Sequence, residues 1–140
     1  MDVVVLIGRI LFGLLFVGSG VGHLTQTEGM AQFAGARGVP SARLAVQVSG
    51  VLILVGGLMV ILGIWADLGA LLLVVFLLLT TFVIHAFWKA TDDQEKQMEQ
   101  VQFLKDLGLA GAALMLFAFF AASPDLGLTI TGPLFETSFG

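Results

Sequence analysis

Four separated apolar stretches constrain the fold of this 140-residue chain more than any other feature. Each has close to the ~20 residues that a helix needs to cross the hydrocarbon core of a bilayer. Backbone groups in lipid must pair within their own segment, so each stretch is predicted to be a helix. The expected fold is all-α, a bundle of four transmembrane helices in which residues 1–140 form a single integral membrane domain. The predicted spans are residues 3–24, 44–64, 68–88 and 103–122.

The composition agrees with burial in lipid and excludes several classes of function. Only 11% of the residues are charged, against roughly 25% in a soluble domain. The net charge is −4, and no basic patch is present, so nucleic acid is not an expected partner. The absence of cysteine rules out thiol redox chemistry and iron–sulfur ligation by this chain. With only two histidines, no metal site built by this chain alone is expected.

The connections between the spans carry the polar sequence. Between the first two spans, residues 30–37 are predicted to form a short interfacial helix, with Met30, Phe33 and Ala34 toward the lipid. An irregular loop is the alternative because of the nearby glycines. The run from Thr91 to Gln94 is typical of a helix N-cap, so the fourth helix is expected to begin there, outside the lipid. The tail, residues 123–140, is predicted to be irregular.

The distribution of basic residues predicts the orientation in the membrane. All basic residues in or beside the loops fall on one side, and positive charge is retained in the cytoplasm. Loops 25–43 and 89–102 are therefore predicted to be cytoplasmic, and both termini to lie outside. The expected location is a bacterial-type plasma membrane, crossed several times. The residues that carry this bias are Arg37, Arg43, Lys89, Lys96 and Lys105.

Small residues within the spans predict close packing of the helices. Gly18 and Gly22 form a G-x-x-x-G pattern in the first span, and Gly108 with Ala112 forms a similar pair in the fourth. Such residues let helix backbones approach in lipid.

Polar side chains from all four spans are expected at one depth, near the inner leaflet. Ionisable groups inside spans face the interior of a bundle and mark functional sites by default. His85 and Asp106 are predicted to approach within hydrogen-bond reach, directly or through one water, and to line a pocket; a purely structural role is the alternative. Lys105 is expected to serve the headgroups. The candidate cofactor-binding residues are His85, Asp106, His23, Gln47 and Thr81.

Arg9 is a separate intramembrane charge near the opposite end of the first span. It is predicted to be structural, and either to reach water or to meet an acid. The acids at that depth are Asp2, Asp67 and Asp125.

Several segments together resemble the DoxX family. Residues 8–23 (GRILFGLLFVGSGVGH) are similar to its first helix and residues 51–63 (VLILVGGLMVILG) to its second. The segments HAFW at 85–88 and FLKDLG at 103–108 are similar to its third and fourth helices. The chain departs from the family at Asp106, where asparagine is frequent, and at Ser49-Gly50, where many members carry an acid.

The resemblance implies a four-helix membrane bundle and a link to redox chemistry. Some DoxX relatives are subunits of thiosulfate:quinone oxidoreductases or of other membrane-associated oxidoreductase complexes. The resulting hypothesis is a subunit of a membrane-associated oxidoreductase or respiratory-type assembly that contacts quinone, with His85 bonded to the quinone carbonyl and electrons supplied by membrane or membrane-associated redox proteins. No covalently bound cofactor is expected. The alternative is a membrane chaperone or scaffold that binds proteins or lipids without redox chemistry. Catalysis by the chain itself and a homo-oligomer both stay open.

Overall fold

The computed structural model describes residues 1–140 and contains five α-helices and no strand. Four of the helices are long and apolar enough to cross a membrane, which confirms the all-α fold with four spans. The remaining helix is the short one that was predicted between the first two spans. The helices are α1 (Asp2–Thr25), α2 (Thr27–Ala36), α3 (Ala42–Leu62), α4 (Ala66–Val83) and α5 (Asp93–Ala121), with a 3₁₀ turn at Phe87–Lys89.

The helix that carries the third span ends earlier than predicted. α4 stops at Val83, because the backbone N–H groups of Ile84 and His85 both donate to the carbonyl of Thr80 and close the helical ladder. His85 therefore lies in the connection after α4 and does not continue the helix face of Thr81, in contrast to what the i, i+4 spacing predicts. At the start of α5 the prediction is confirmed: the Asp92 carboxylate accepts a hydrogen bond of 2.8 Å from the Glu95 N–H.

The four spanning helices pack in the order α1–α3–α4–α5. No Cα atom of α1 comes within 8 Å of one in α5, so the first and last spans do not close against each other. The short helix α2 packs mainly on α3. A core shared by all four spans holds the arrangement together and includes Phe16, Ile53, Leu73, Leu77 and Ala113. The fold is thus an open bundle with a gap between α1 and α5.

Glycines bring α1 and α3 close together at two levels. A Cβ atom added to Gly20 would lie 2.8 Å from the carbonyl oxygen of Gly50, and one added to Gly57 would lie 3.0 Å from that of Gly13. Gly13 and Gly20 are seven positions apart, as are Gly50 and Gly57, and this spacing is close to two helical turns. Each helix therefore offers one smooth face to the other, and the backbones touch.

The glycine pairs predicted from the sequence are not the ones at the crossing. A Cβ atom on Gly18 would meet nothing within 4 Å, and one on Gly22 would meet only the Met30 Cε, at 3.8 Å. Gly108 in α5 also faces open space. The expectation of close packing was right, but four-residue spacing selected the wrong faces of α1 and α5.

Both termini and the connection from Gly63 to Trp65 lie at one end of the bundle, which we call the tail end. The tail is irregular, as predicted, but it packs on the helices. The N–H of Thr131 donates to the Gly63 carbonyl, and the buried Asp67 carboxylate accepts from the N–H groups of Leu134 and Phe135, at 3.0 and 2.7 Å. The tail therefore covers the ends of α3 and α4.

Arg9 is enclosed at the tail end, with only 2% of its surface exposed. Its guanidinium donates to the carbonyls of Val60 (2.9 Å), Ile61 (2.7 Å) and Leu128 (2.8 Å). The prediction that Arg9 reaches water or an acid was wrong, because backbone carbonyls of α3 and of the tail accept all of these hydrogen bonds.

Candidate functional site

A cavity of about 1180 Å³ lies between α1 and α5 at the end of the bundle opposite the tail. Residues of α3 and α4 form its floor, and residues of α2 cover it. Half of its 30 lining residues are hydrophobic, so a large part of the wall suits an apolar molecule. The apolar wall includes Leu15, Phe16, Phe76, Leu79, Val83 and Leu109.

Polar side chains from different helices meet in this cavity. His23 comes from α1, His85 from the connection after α4, and Asp106 with Lys105 from α5. The structure thus brings together three of the predicted site residues, His23, His85 and Asp106. The cavity lining also contains the charged side chains of Lys105, Glu28 and Arg43.

His85 is held between two carboxylates. Its Nδ1 lies 2.7 Å from Glu99 Oε2, and its Nε2 lies 3.6 Å from Asp106 Oδ2. The first contact is a strong hydrogen bond, whereas the second is too long for one and is within the range of an ion pair. The predicted approach of His85 to Asp106 is therefore present, without a direct hydrogen bond.

Arg37 binds the cluster of His85, Glu99 and Asp106 on the side away from Asp106. It follows the last turn of α2, donates to the carbonyl of Ile84 at 3.0 Å, and pairs with Glu99 at 3.0 Å and with Glu95 at 3.5 Å. Because Glu99 bonds Arg37 through one oxygen and His85 through the other, a single chain of polar interactions runs from α2 to the cavity.

His23 is oriented by α3. Its Nδ1 lies 3.1 Å from Ser49 Oγ and 3.3 Å from the carbonyl of Val46. The ring packs edge-on against Phe76 of α4, with 5.9 Å between centroids. Nε2 makes no hydrogen bond within the protein, so it is the ring nitrogen free to meet a ligand.

The DoxX family profile matches residues 4–86, which is more than half of the chain. The chain belongs to the DoxX family. It is 33% identical to the inner membrane protein YqjF of Escherichia coli (strain K12) over 115 residues, which cover 82% of both chains. It is 28% identical to the inner membrane protein YphA of the same organism over 114 residues, which cover 81% of both. No solved structure matches it.

This DoxX protein is therefore a membrane protein whose relatives reside in the inner membrane. The matched range contains His23 and His85 but ends before Glu99 and Asp106. The cluster around His85 thus joins the part that matches the family profile to the region beyond the match.

Two predicted site residues lie elsewhere in this DoxX protein. Gln47 is exposed and does not line the cavity, because the α3 face toward the cavity carries Val46 and Ser49. The Thr81 hydroxyl is buried and donates to the Leu77 carbonyl of its own helix at 2.6 Å, while its neighbour Thr80 lines the cavity. Neither Gln47 nor Thr81 is placed to touch a ligand there.

One further expectation about this end of the molecule was wrong, and a second was incomplete. Met30, Phe33 and Ala34 of α2 line the cavity, so α2 covers the site, although Phe33 is also half-exposed. Lys105 does not serve the headgroups alone, since its Nζ lies 3.3 Å from Asp106 Oδ1. Both differences arise because the gap between α1 and α5 leaves a cavity for these side chains to face.

Glu99 and Arg37 were missed as members of the site. The signal for Glu99 was its spacing of seven residues from Asp106, close to two turns, which places both on one side of α5. Arg37 was considered only as a marker of orientation. No group of three or more His, Cys, Asp or Glu side chains is arranged to hold a metal ion.

Proposed function

We propose that this DoxX protein is a membrane subunit that binds a lipid-soluble molecule of the quinone class in the cavity between α1 and α5. The observation that carries the proposal is the combination of a long apolar wall with titratable groups, His23, His85 and Asp106, in the same cavity. A quinone-class molecule matches this arrangement, because it has an apolar tail and a small ring that bears oxygens.

The gap between α1 and α5 supports entry from the bilayer. No Cα atom of α1 lies within 8 Å of one in α5, and the cavity between them is lined by apolar side chains such as Leu15 and Leu109, so we place the entry of a hydrophobic molecule between these two helices. A cavity of about 1180 Å³ holds a substituted ring together with part of a tail. The ring end would then meet His85 and Asp106.

The redox part of the proposal rests on the resemblance to oxidoreductase subunits. This chain has no cysteine and only two histidines, so its own residues offer little to hold a redox centre. Electrons would come from a membrane-associated redox protein bound to it. Mass spectrometry of the gently solubilised complex tests this, because a quinone and a redox partner should copurify. A complex whose cavity holds only phospholipid would contradict the proposal.

Replacing His85 with alanine should weaken binding of a decyl-substituted benzoquinone in its reduced, hydroquinone form at least about tenfold, since a buried polar contact to a ring hydroxyl is lost. The fold should persist, because Arg37 still pairs with Glu99. Binding is measured by titration of the purified protein in lipid nanodiscs. Gln100→Ala, an exposed position on α5 away from the cavity, is the control and should bind like the unaltered protein. Equal affinity for His85→Ala and the control would remove His85 from the site.

The orientation proposed from the basic residues has its own test. The chain contains no cysteine, so single cysteines can replace the exposed residues Lys96 and Ser138. In intact cells an impermeant thiol reagent should label the cysteine at position 138 and leave the one at position 96 unlabelled. The reverse labelling pattern would show that the orientation is inverted.

A further inference from the structure

We propose that the cavity selects the hydroxyl-bearing, reduced form of such a ring, a hydroquinone, over the carbonyl-bearing quinone. This inference rests on the proposed function and deepens it. Its basis is the hydrogen-bonding polarity of the less exposed polar groups in the cavity, since His23, His85 and Asp106 each present an acceptor to a ligand. A hydroquinone donates hydrogen bonds through its hydroxyls, whereas a quinone carbonyl can only accept them.

His23 presents an acceptor because its other ring nitrogen must carry the hydrogen. The carbonyl of Val46, 3.3 Å from Nδ1, can only accept. Ser49 Oγ, 3.1 Å from Nδ1, already donates its own hydrogen to the same carbonyl at 3.0 Å. Nδ1 is therefore the donor, and Nε2 of the neutral ring is left with a lone pair.

His85 is oriented in the same sense. Glu99 is paired with Arg37 at 3.0 Å, and as a carboxylate it only accepts, so His85 Nδ1 donates the hydrogen bond of 2.7 Å between them. The neutral ring then directs the lone pair of Nε2 toward Asp106, 3.6 Å away. Glu99 thus acts as a positioning residue that sets which ring nitrogen of His85 accepts a hydrogen bond.

Asp106 adds the third acceptor. Its two oxygens lie 3.6 Å from His85 and 3.3 Å from Lys105. If His85 takes up a proton, it becomes the partner of Asp106, and the carboxylate still offers the ligand only lone pairs. If His85 stays neutral, two acceptors face each other without a hydrogen between them. A ligand hydroxyl beside the pair donates its hydrogen to one of the two acceptors in the second case and to the carboxylate in the first.

The donors around the cavity do not reverse this preference. The side chains of Lys105 and Arg43 are 53% and 69% exposed, so the N–H groups they have left after bonding Gln102 and Glu28 are solvated at the edge of the cavity and distinguish little between the two forms. The hydroxyls of Ser19 and Thr80 also line the cavity, but a hydroxyl donates or accepts equally well and serves either form of the ring.

The test compares the two redox forms of one probe, a decyl-substituted benzoquinone and its hydroquinone, titrated anaerobically into the protein in nanodiscs. The hydroquinone should bind about tenfold more tightly or better, because the quinone leaves buried acceptors opposite its own oxygens. Asp106→Asn replaces an acceptor oxygen with an amide donor of the same shape, and it should bring the affinity ratio toward one. Asp93→Asn makes the same change at an exposed site on α5 away from the cavity and should keep the ratio of the unaltered protein.

The outcomes separate the two proposals. Equal affinity of the unaltered protein for both forms, or tighter binding of the quinone, would overturn the selectivity while the proposed function stands. A ratio that Asp106→Asn leaves unchanged, in a variant that unfolds at the same temperature as the unaltered protein, would also overturn it. Failure of both forms to bind would overturn the proposed function, and this inference with it.

Discussion

Replacement of Gly20 by leucine is expected to separate α1 from α3 and to destabilise the protein by about 3 kcal/mol or more. A Cβ atom at this position would lie 2.8 Å from the carbonyl oxygen of Gly50 and 2.9 Å from the backbone nitrogen of Leu54. Neither backbone atom can move aside as a flexible side chain would, so the helices must part. Thermal unfolding in a mild detergent measures the loss.

Gly18→Leu is the matched control, because it introduces the same side chain two residues away on the same helix. A Cβ atom at Gly18 meets nothing within 4 Å, so the added leucine should extend into lipid at little cost. Gly22→Leu should also be mild, since only the flexible end of Met30 is near. If Gly18→Leu and Gly20→Leu unfold at the same temperature, the crossing is not where the structure places it.

The spans could be predicted from the sequence because hydropathy is a local property. A stretch of about 20 apolar residues must become a helix in lipid, whatever its neighbours do. Which faces of the helices touch is not local. Gly18 and Gly22 match a known packing pattern, but the α1–α3 crossing depends on the spacing shared by Gly13 and Gly20 with Gly50 and Gly57. That match becomes visible only when the two helices are compared with each other.

The candidate site was partly predictable, because topology fixes the depth of a residue. Alternation of direction across four spans placed His23, His85 and Asp106 at one level, and all three line the cavity. Depth does not give rotation about the helix axis, and for that reason Gln47 was wrongly included. Glu99 was overlooked because it precedes the predicted span, and the part of α5 before that span was expected to lie in water, away from the site.

The partners of Arg9 could not be predicted, because every residue has a backbone carbonyl and the sequence does not indicate which of them will accept a hydrogen bond. An intramembrane cation is expected to pair with an acid, and Asp67 was one of the candidates. In the structure Asp67 instead accepts from the N–H groups of Leu134 and Phe135 in the tail. The two buried charges at this end are therefore bound by the backbone and not by each other.

Arg9→Leu is expected to destabilise the protein by on the order of 5 kcal/mol, because three carbonyls lose their donor at once. The last carbonyls of a helix have no partner within the helix. In α3 the Met59 carbonyl accepts from Gly63 and Ile64, and that of Leu62 accepts from Ile130. The two between them, on Val60 and Ile61, are bonded by Arg9.

Leucine retains much of the aliphatic part of the arginine side chain, so the loss of stability reports the missing hydrogen bonds more than the missing volume. The substitution also removes the positive charge at the C-terminus of α3, which interacts favourably with the helix dipole. Arg43→Leu is the control: it removes an arginine whose side chain, like that of its partner Glu28, is 69% exposed, and such a pair contributes little. Thermal unfolding in detergent compares the two variants, with Arg9→Lys expected between them because an ammonium can still donate to some of the carbonyls. Equal unfolding temperatures for Arg9→Leu and Arg43→Leu would show that the tail end is held by other contacts.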